Sequence, residues 1–307
     1  MVAIEISNLS KRYISSFGLK KILALDNLNL KIFKGEIFGF LGPNGAGKTT
    51  TLKLILGLIF PTTGSIKIFN RDIRDFKVKK DIGFLPENPY FYEYLTGEEF
   101  LNFYGRLFNI SKKELREKTK EFFINFGLMR FRKLPLRKYS KGMLQKIGLA
   151  QALINEPQLI ILDEPMSGLD PLGRKEIRDI ILKLKEEGKT VFFSTHILQD
   201  VEMICDRVGI LNRGRLVEAG KLEEMLTTKI HSIEICFRKV SGNGMEKLNE
   251  LTPTTFIRGE DIFVIVPELE IAKKILNIVY KYGGEIVSYI PRRETLEEYF
   301  IREIEGK

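Results

Sequence analysis

Cysteine and histidine are scarce in this chain, and their scarcity removes several chemistries at once. The 307 residues include two cysteines, Cys205 and Cys236, and two histidines, His196 and His231. The cysteines stand too far apart for a metal-ligand spacing and read as buried thiols, and two histidines cannot supply a His-rich metal site. Long apolar runs are missing too: no stretch reaches the roughly 18 to 20 residues that a membrane-spanning helix needs. The opening, MVAIEISNLSKRY, has neither a long apolar core nor a small-residue cleavage site, so it does not read as a secretory signal and an intracellular location is expected. No heptad pattern is sustained.

What is present describes a globular protein, 44% hydrophobic and 29% charged, with a length that suits two domains. The net charge of +9 is unevenly placed: residues 221–307 hold 13 Lys/Arg against 15 Asp/Glu, leaving 36 against 25 for the first 220 residues. A basic N-terminal part suits phosphates, nucleic acid or an anionic membrane face. Its lysines are scattered rather than clustered, which reads equally as a solvated surface.

One stretch organises the rest. Residues 37–58, IFGFLGPNGAGKTTTLKLILGL, begin as a short apolar run, turn sharply, and enter apolar residues at helical spacing (Leu52, Ile55, Leu56, Ile59). The turn fits G-x-x-x-x-G-K-[ST], with Gly42, Gly47, Lys48 and Thr49 at the fixed places. Glycines let successive N–H groups point inward, a concave anion site, and the helix adds the positive end of its dipole. Lys48 is placed to reach β- and γ-phosphates, and the Thr49 hydroxyl to ligate a bridging Mg²⁺. The bland alternative, a glycine-rich turn that binds nothing, does not require both the strand and the helix to be there.

Residues 2–9 and 22–33 alternate and, with Gly64–Asn70, read as strands of an antiparallel subsheet. Tyr13 ends the first of them, where an aromatic suits stacking on a purine as well as an ordinary strand end. Ile82–Pro86 is a short buried strand leading to Glu87. Residues 96–155 show helical spacing throughout, with Ser111 and Glu114 as a capping box, and form a helical insertion. Leu159–Glu164, Val191–His196 and Val208–Leu211 are continuous apolar runs, the pattern of parallel strands covered on both faces; a helix, Gly173–Glu187, lies between the first two. After Gly220 the composition changes and the elements run β-α-β-β-α-β, the ferredoxin-like order, with nothing that looks catalytic. The expected fold is therefore α/β: a P-loop NTPase core with an antiparallel β subdomain and a helical insertion over 1–220, and a small α+β domain over 221–307.

At the end of a buried strand facing the phosphate loop, Asp163 suits Mg²⁺ and Glu164 the water that attacks the γ-phosphate. His196 ends the neighbouring strand, where an imidazole is able to sense the γ-phosphate or be merely structural.

On these residues the chain resembles the ATP-binding subunit of an ABC transporter. Tyr13 matches the adenine-stacking aromatic. Gly42, Pro43, Asn44, Gly45, Ala46, Gly47, Lys48, Thr49 and Thr50 match the Walker A loop, and Leu159–Glu164 the Walker B strand. Ser167-Gly168-Leu169-Asp170 matches the D-loop and His196 the switch histidine. Tyr139-Ser140-Lys141-Gly142-Met143 occupies the place of the signature Leu-Ser-Gly-Gly-Gln. The likeness covers about the first 220 residues. Two departures stand out: Glu87 where most members have the glutamine that ligates Mg²⁺, and Lys141 and Met143 in the signature. Both are similar to the branch that works with ABC-2-type permeases, mostly exporters, as is the tail with PRRETLEEYF (291–300).

The resemblance implies an ATPase using ATP and Mg²⁺, with Glu164 and His196 catalytic, Thr49, Glu87 and Asp163 at the metal, and Ser140 and Gly142 gripping the nucleotide of a partner subunit. It further implies a head-to-tail dimer, docked on a separate permease at the inner face of the cell membrane, with no nucleic acid expected as a partner. A soluble ABC ATPase acting on ribosomes or DNA is the alternative; one cassette and no coiled-coil arms speak against it. The run Asn88-Pro89-Tyr90-Phe91-Tyr92-Glu93-Tyr94 fits neither strand nor helix spacing and is expected to face outward in part, as the permease-docking loop.

Overall fold

The computed structural model describes residues 1–14, 21–226, 230–252, 255–293 and 295–305, and the chain divides into two units, Met1–Leu222 and Glu223–Lys307. In the first unit β1 (Val2–Ile14) and β2 (Lys21–Phe33) pair antiparallel, burying Ile4, Ile6, Leu9, Leu25, Leu28, Leu30 and Ile32 on one side. There follow β3 (Ile37–Leu41), α1 (Lys48–Ile55), β4 (Thr63–Ile68), the two-residue β5 (Arg71–Asp72) and β6 (Ile82–Leu85). β4 and β5 complete an antiparallel sheet in the order β2-β1-β4-β5.

Helices α2 (Gly97–Leu107), α3 (Lys112–Asn125) and α4 (Lys141–Leu153) come next, then β7 (Leu159–Asp163), α5 (Pro171–Glu186), β8 (Thr190–Thr195), α6 (Leu198–Ile204), β9 (Arg207–Asn212) and β10 (Arg215–Lys221). A single turn, α7 (Leu222–Met225), spans the residues where the units divide. The second sheet has the order β10-β9-β3-β8-β7-β6, parallel except for β10. Every residue of β3, β7 and β8 is buried, which is why these strands read as unbroken apolar runs. Phe192 stacks against Phe38 and tilts against Phe40, tying β8 to β3 in the core.

This register positions the chemistry. Leu41 pairs with Thr195 and Asp163 with Ser194, so the carboxyl ends of β3, β8 and β7 emerge side by side. The phosphate loop, His196 and the two acids leave the sheet at one edge.

The helical insertion departs from its expected form in two places. Between α3 and α4 the chain makes short 3₁₀ turns at Met129–Phe131 and Leu136–Lys138 instead of continuing as helix. At Ser111 only half a capping box forms: the hydroxyl accepts from Glu114 N–H, while the Glu114 carboxylate pairs with Lys118. Within the insertion a complete reciprocal box forms at Thr96–Glu99, at the start of α2. Helix α5 also starts two residues before the expected Gly173, because Asp170 caps it by accepting from Gly173 N–H and Pro171 preorganises its first turn.

The second unit contains β11 (Ile230–Arg238), α8 (Gly242–Leu251), β12 (Thr255–Arg258), β13 (Asp261–Val266), α9 (Leu269–Lys281), β14 (Glu285–Arg293) and α10 (Leu296–Glu305). Its antiparallel sheet runs β12-β13-β11-β14, the ferredoxin-like arrangement. Ile233, Ile235 and Phe237 alternate along β11 and meet Leu248 of α8 and Ala272, Ile275 and Val279 of α9. Each such buried Ile, Leu, Val or Phe contributes about 1.5–3 kcal/mol. The first residue of the helix expected over 294–304, Glu294, lies outside the described residues.

Candidate active site

The loop after β3 curls because two of its glycines hold backbone angles that side-chain-bearing residues avoid. Gly45 has φ +81° and Gly47, the N-cap of α1, φ +111°. At Gly42 the constraint is space: a Cβ there would stand 2.4 Å from the Leu211 carbonyl oxygen. The Lys48 side chain folds back into this loop, its Nζ donating to Gly42 O at 2.6 Å and approaching Pro43 O at 3.4 Å. The same Nζ lies 3.6 Å from Glu164 Oε1, with both side chains less than a tenth exposed.

Glu164 follows β7 at φ +48°, an uncommon conformation for a residue with a side chain. Its N–H is held from β8 by the Ser194 carbonyl at 3.1 Å and the Ser194 hydroxyl at 3.2 Å. This turn aims the carboxylate between two partners, Lys48 on Oε1 and His196 Nδ1 at 2.9 Å from Oε2. The imidazole is 46% exposed, so the triad has a buried cation at one end and an open ring at the other.

Asp163 is buried, and the Ser194 hydroxyl donates to its Oδ1 at 2.5 Å. Burial pushes its carboxyl above the usual range, with the Glu164 charge adding to the rise; hydrogen bonds from Ser194 and Thr49 and the Lys48 charge oppose it. A buried carboxylate bonded to the Thr49 hydroxyl is a donor set of hard oxygens, and a divalent cation would offset the cost of its burial. Among the described residues no three His, Cys, Asp or Glu side chains cluster into a metal cage. That composition fits Mg²⁺, which is characteristically held by one or two protein oxygens with waters and substrate phosphates.

These groups border a cavity of about 550 Å³. Its wall brings together Pro43, Asn44, Gly45, Gly47, Lys48, Thr49, Thr50, Glu87, Glu164 and His196. Gly42, Ala46 and Asp163 lie buried around it. Three other expected site residues stand elsewhere. Tyr13 is 39% exposed on β1 with the Lys11 ammonium 5.2 Å from its ring centroid, and only its cross-strand partner, Ile22, reaches the cavity wall. Ser140 caps α4 by accepting from Met143 N–H, and neither it nor Gly142 borders the cavity.

The sequence reading gave Ser167, which also lines the wall, only as part of the D-loop, and it missed Ile22, Leu23 and Ala24 of β2 and Arg213-Gly214. The last pair forms the β9–β10 turn with both residues at positive φ, as a two-residue hairpin requires, and Arg-Gly between apolar runs was its available signal. This turn is stapled to the phosphate loop: Gly214 N–H donates to Ala46 O and Asp26 N–H to Gly214 O, both at 2.8 Å.

Comparison with known proteins agrees with this geometry. A family model described as ABC transporter matches residues 25–167. An uncharacterised ABC transporter ATP-binding protein of Nostoc is 43% identical, over 97% of this chain and 89% of its own length. The bacitracin transport ATP-binding protein BcrA of Bacillus licheniformis is 35% identical over 99% and 97%. Among solved structures, the dimeric ATP-binding cassette MJ0796, in a post-hydrolysis state bound to ADP and Pi, superposes with a TM-score of 0.65 at 31% identity, covering 71% of this chain and 98% of that one. Near-full-length likeness of this kind places the chain in the family of ABC transporter ATP-binding proteins, ATPases that act on ATP with Mg²⁺.

Proposed function

We propose that the chain is the ATP-hydrolysing half of an ABC-2-type exporter, working as a head-to-tail dimer on a separate membrane permease. The observation that carries the catalytic part is the single carboxylate, Glu164, held between Lys48 and His196. The Lys48 ammonium contacts loop carbonyls and Glu164. Phosphates of ATP replace those partners as the counter-charge of Lys48, which frees Glu164 Oε1 to accept the proton of the attacking water. His196 keeps the carboxylate oriented through Oε2. The N–H groups of Lys48 to Thr50, the first turn of α1, would meet the phosphate oxygens, and Thr49, Asp163 and Glu87 are the residues that would hold Mg²⁺. Mg²⁺ held there would supply neutralisation of the phosphate charge. Tyr13 is the proposed adenine platform.

The dimer reading is supported by Ser140 and Gly142, the signature residues, lying exposed or half-buried away from the chain's own cavity. A second copy then supplies them to the nucleotide, and the γ-phosphate is the contact that distinguishes closed from open. Dimeric MJ0796 supports the same reading. Export through an ABC-2-type permease rests on Glu87, the Ser140–Met143 sequence and the bacitracin relatives; all the relatives cited are transporter proteins, which favours this over action on ribosomes or DNA. Glu87 borders both the nucleotide cavity and a second cavity of about 730 Å³ beside Tyr90, Tyr92 and Tyr94, the proposed permease groove. The unit from Glu223 on is assigned an accessory, dimer-stabilising or regulatory role. No helix among the described residues is long and apolar enough to cross a membrane, so attachment to the inner face of the membrane is assigned to the permease.

The test is purification of the chain from membranes of its own cells. Recovery of an integral-membrane permease with ATP-dependent association is the expected result; recovery with ribosomes or DNA instead would reject the reading.

A further inference from the structure

We infer that the helical insertion carries a second anion site, for the phosphate group of a small phosphate ester, distinct from the ATP cavity. A pocket of about 270 Å³ opens between α2, α3 and the turn after α3. Arg116, Thr119 and Lys120 share one face of α3 by their three- and four-residue spacing, and Arg132 also lines the pocket. Glu98 is the sole acid in the lining and lies 3.7 Å from Arg132 Nε, so the lining has two positive charges in excess. That excess matches a phosphate dianion, and the small volume excludes a nucleotide-sized ligand. Among the described residues neither Arg116 nor Lys120 makes an ion pair.

Thr119 adds the second observation. It is 2% exposed within the pocket wall, and its hydroxyl has no hydrogen-bond partner among the described residues. A threonine in a helix ordinarily bonds back to the carbonyl one turn before, and it divides between two χ1 rotamers. Because Thr119 makes no such bond, turning its hydroxyl toward a ligand sacrifices none, and a phosphate oxygen would satisfy a buried donor that is otherwise costly. Phe123 and Met129 supply an apolar floor, which strengthens charge contacts made above it.

The full-length protein labelled at methionine methyl groups provides the probe, because Met129 lines the pocket. Inorganic phosphate and glycerol 3-phosphate are titrated separately at constant ionic strength, in the native chain and in Lys48→Ala, which removes the phosphate-loop contact. The expected result is a saturable Met129 shift in both proteins, with the tighter of the two titrants identifying free phosphate or an ester as the source. Thr119→Val and the exposed Arg116→Gln should each weaken that binding about tenfold or more. A Met129 shift that chloride reproduces, that is absent, or that persists unchanged in either variant overturns the site. Arg116→Gln keeps the test decisive if Thr119→Val fails to fold.

Discussion

His196 Nδ1 and Glu164 Oε2 lie 2.9 Å apart, although the two residues leave different strands and are 32 positions apart in the chain. The contact joins a half-exposed ring to a buried carboxylate and leaves the other carboxylate oxygen to Lys48. Glu164→Gln should therefore keep ATP binding and lower turnover by about 10²–10⁴-fold, the range for losing a general base. An ATP-bound dimer should accumulate, visible by size-exclusion chromatography. His196→Ala should show a smaller loss of kcat with ATP affinity nearly unchanged. Near-native turnover in the Glu164 variant would remove it from the role of base.

Lys48 behaves differently because its ammonium is bound in the ground state. Lys48→Ala should weaken ATP binding by at least about tenfold, the scale of one hydrogen bond to a charged group. Isothermal titration with a non-hydrolysable ATP analogue measures this directly, and unchanged affinity would contradict the phosphate contact.

The aromatic loop divides into two kinds of residue that its spacing alone did not separate. Tyr90 and Tyr94 are 84% and 72% exposed, whereas Phe91 is buried, its ring 5.3 Å from that of Phe100 and close to Gly148. Phe91→Ala should cost about 3–5 kcal/mol of stability in denaturant unfolding. Tyr90→Ala and Tyr94→Ala should leave stability within about 0.5 kcal/mol and weaken co-purification with the permease. Unimpaired co-purification of both variants would reject the docking loop.

Alkaline stability should depend on Tyr139. Its hydroxyl donates to Phe131 O at 2.9 Å, and burial pushes the phenol up to about 12 from its usual value of 10.0. Between those values the folded chain keeps a proton that the unfolded chain has released. The stabilisation is fully present below pH 10 and is lost as pH rises toward 12. Thermal melts of Tyr139→Phe should show a smaller fall between pH 10 and 12 than the native chain, and equal falls would argue against a buried phenol.

Truncation tests the independence of the first unit. A cut after Gly220 would remove Lys221, which pairs with Arg207, and Leu222, whose N–H donates to Asp206 O at 3.0 Å. A cut after Leu222 keeps both. The shorter protein, residues 1–222, should fold and bind ATP with affinity similar to the full chain. A folded fragment unable to bind would show that the second unit is part of the nucleotide site.

The phosphate loop, the buried strands and the acids at their ends were all legible in the sequence, because each depends on a few consecutive residues. Glycine spacing, an unbroken apolar run and a capping side chain are local requirements, and local order survives in the bare chain. The β-α-β-β-α-β order of the second unit was legible for the same reason. Tertiary structure decided what consecutive residues could not. Ser194 on β8 binds both the Asp163 carboxylate of β7 and the Glu164 N–H just after it, and Gly214 binds Ala46 across 168 positions of chain. Hydrogen bonds and ion pairs act over about 3 Å. Strand register alone brings residues that distant in sequence within such a reach.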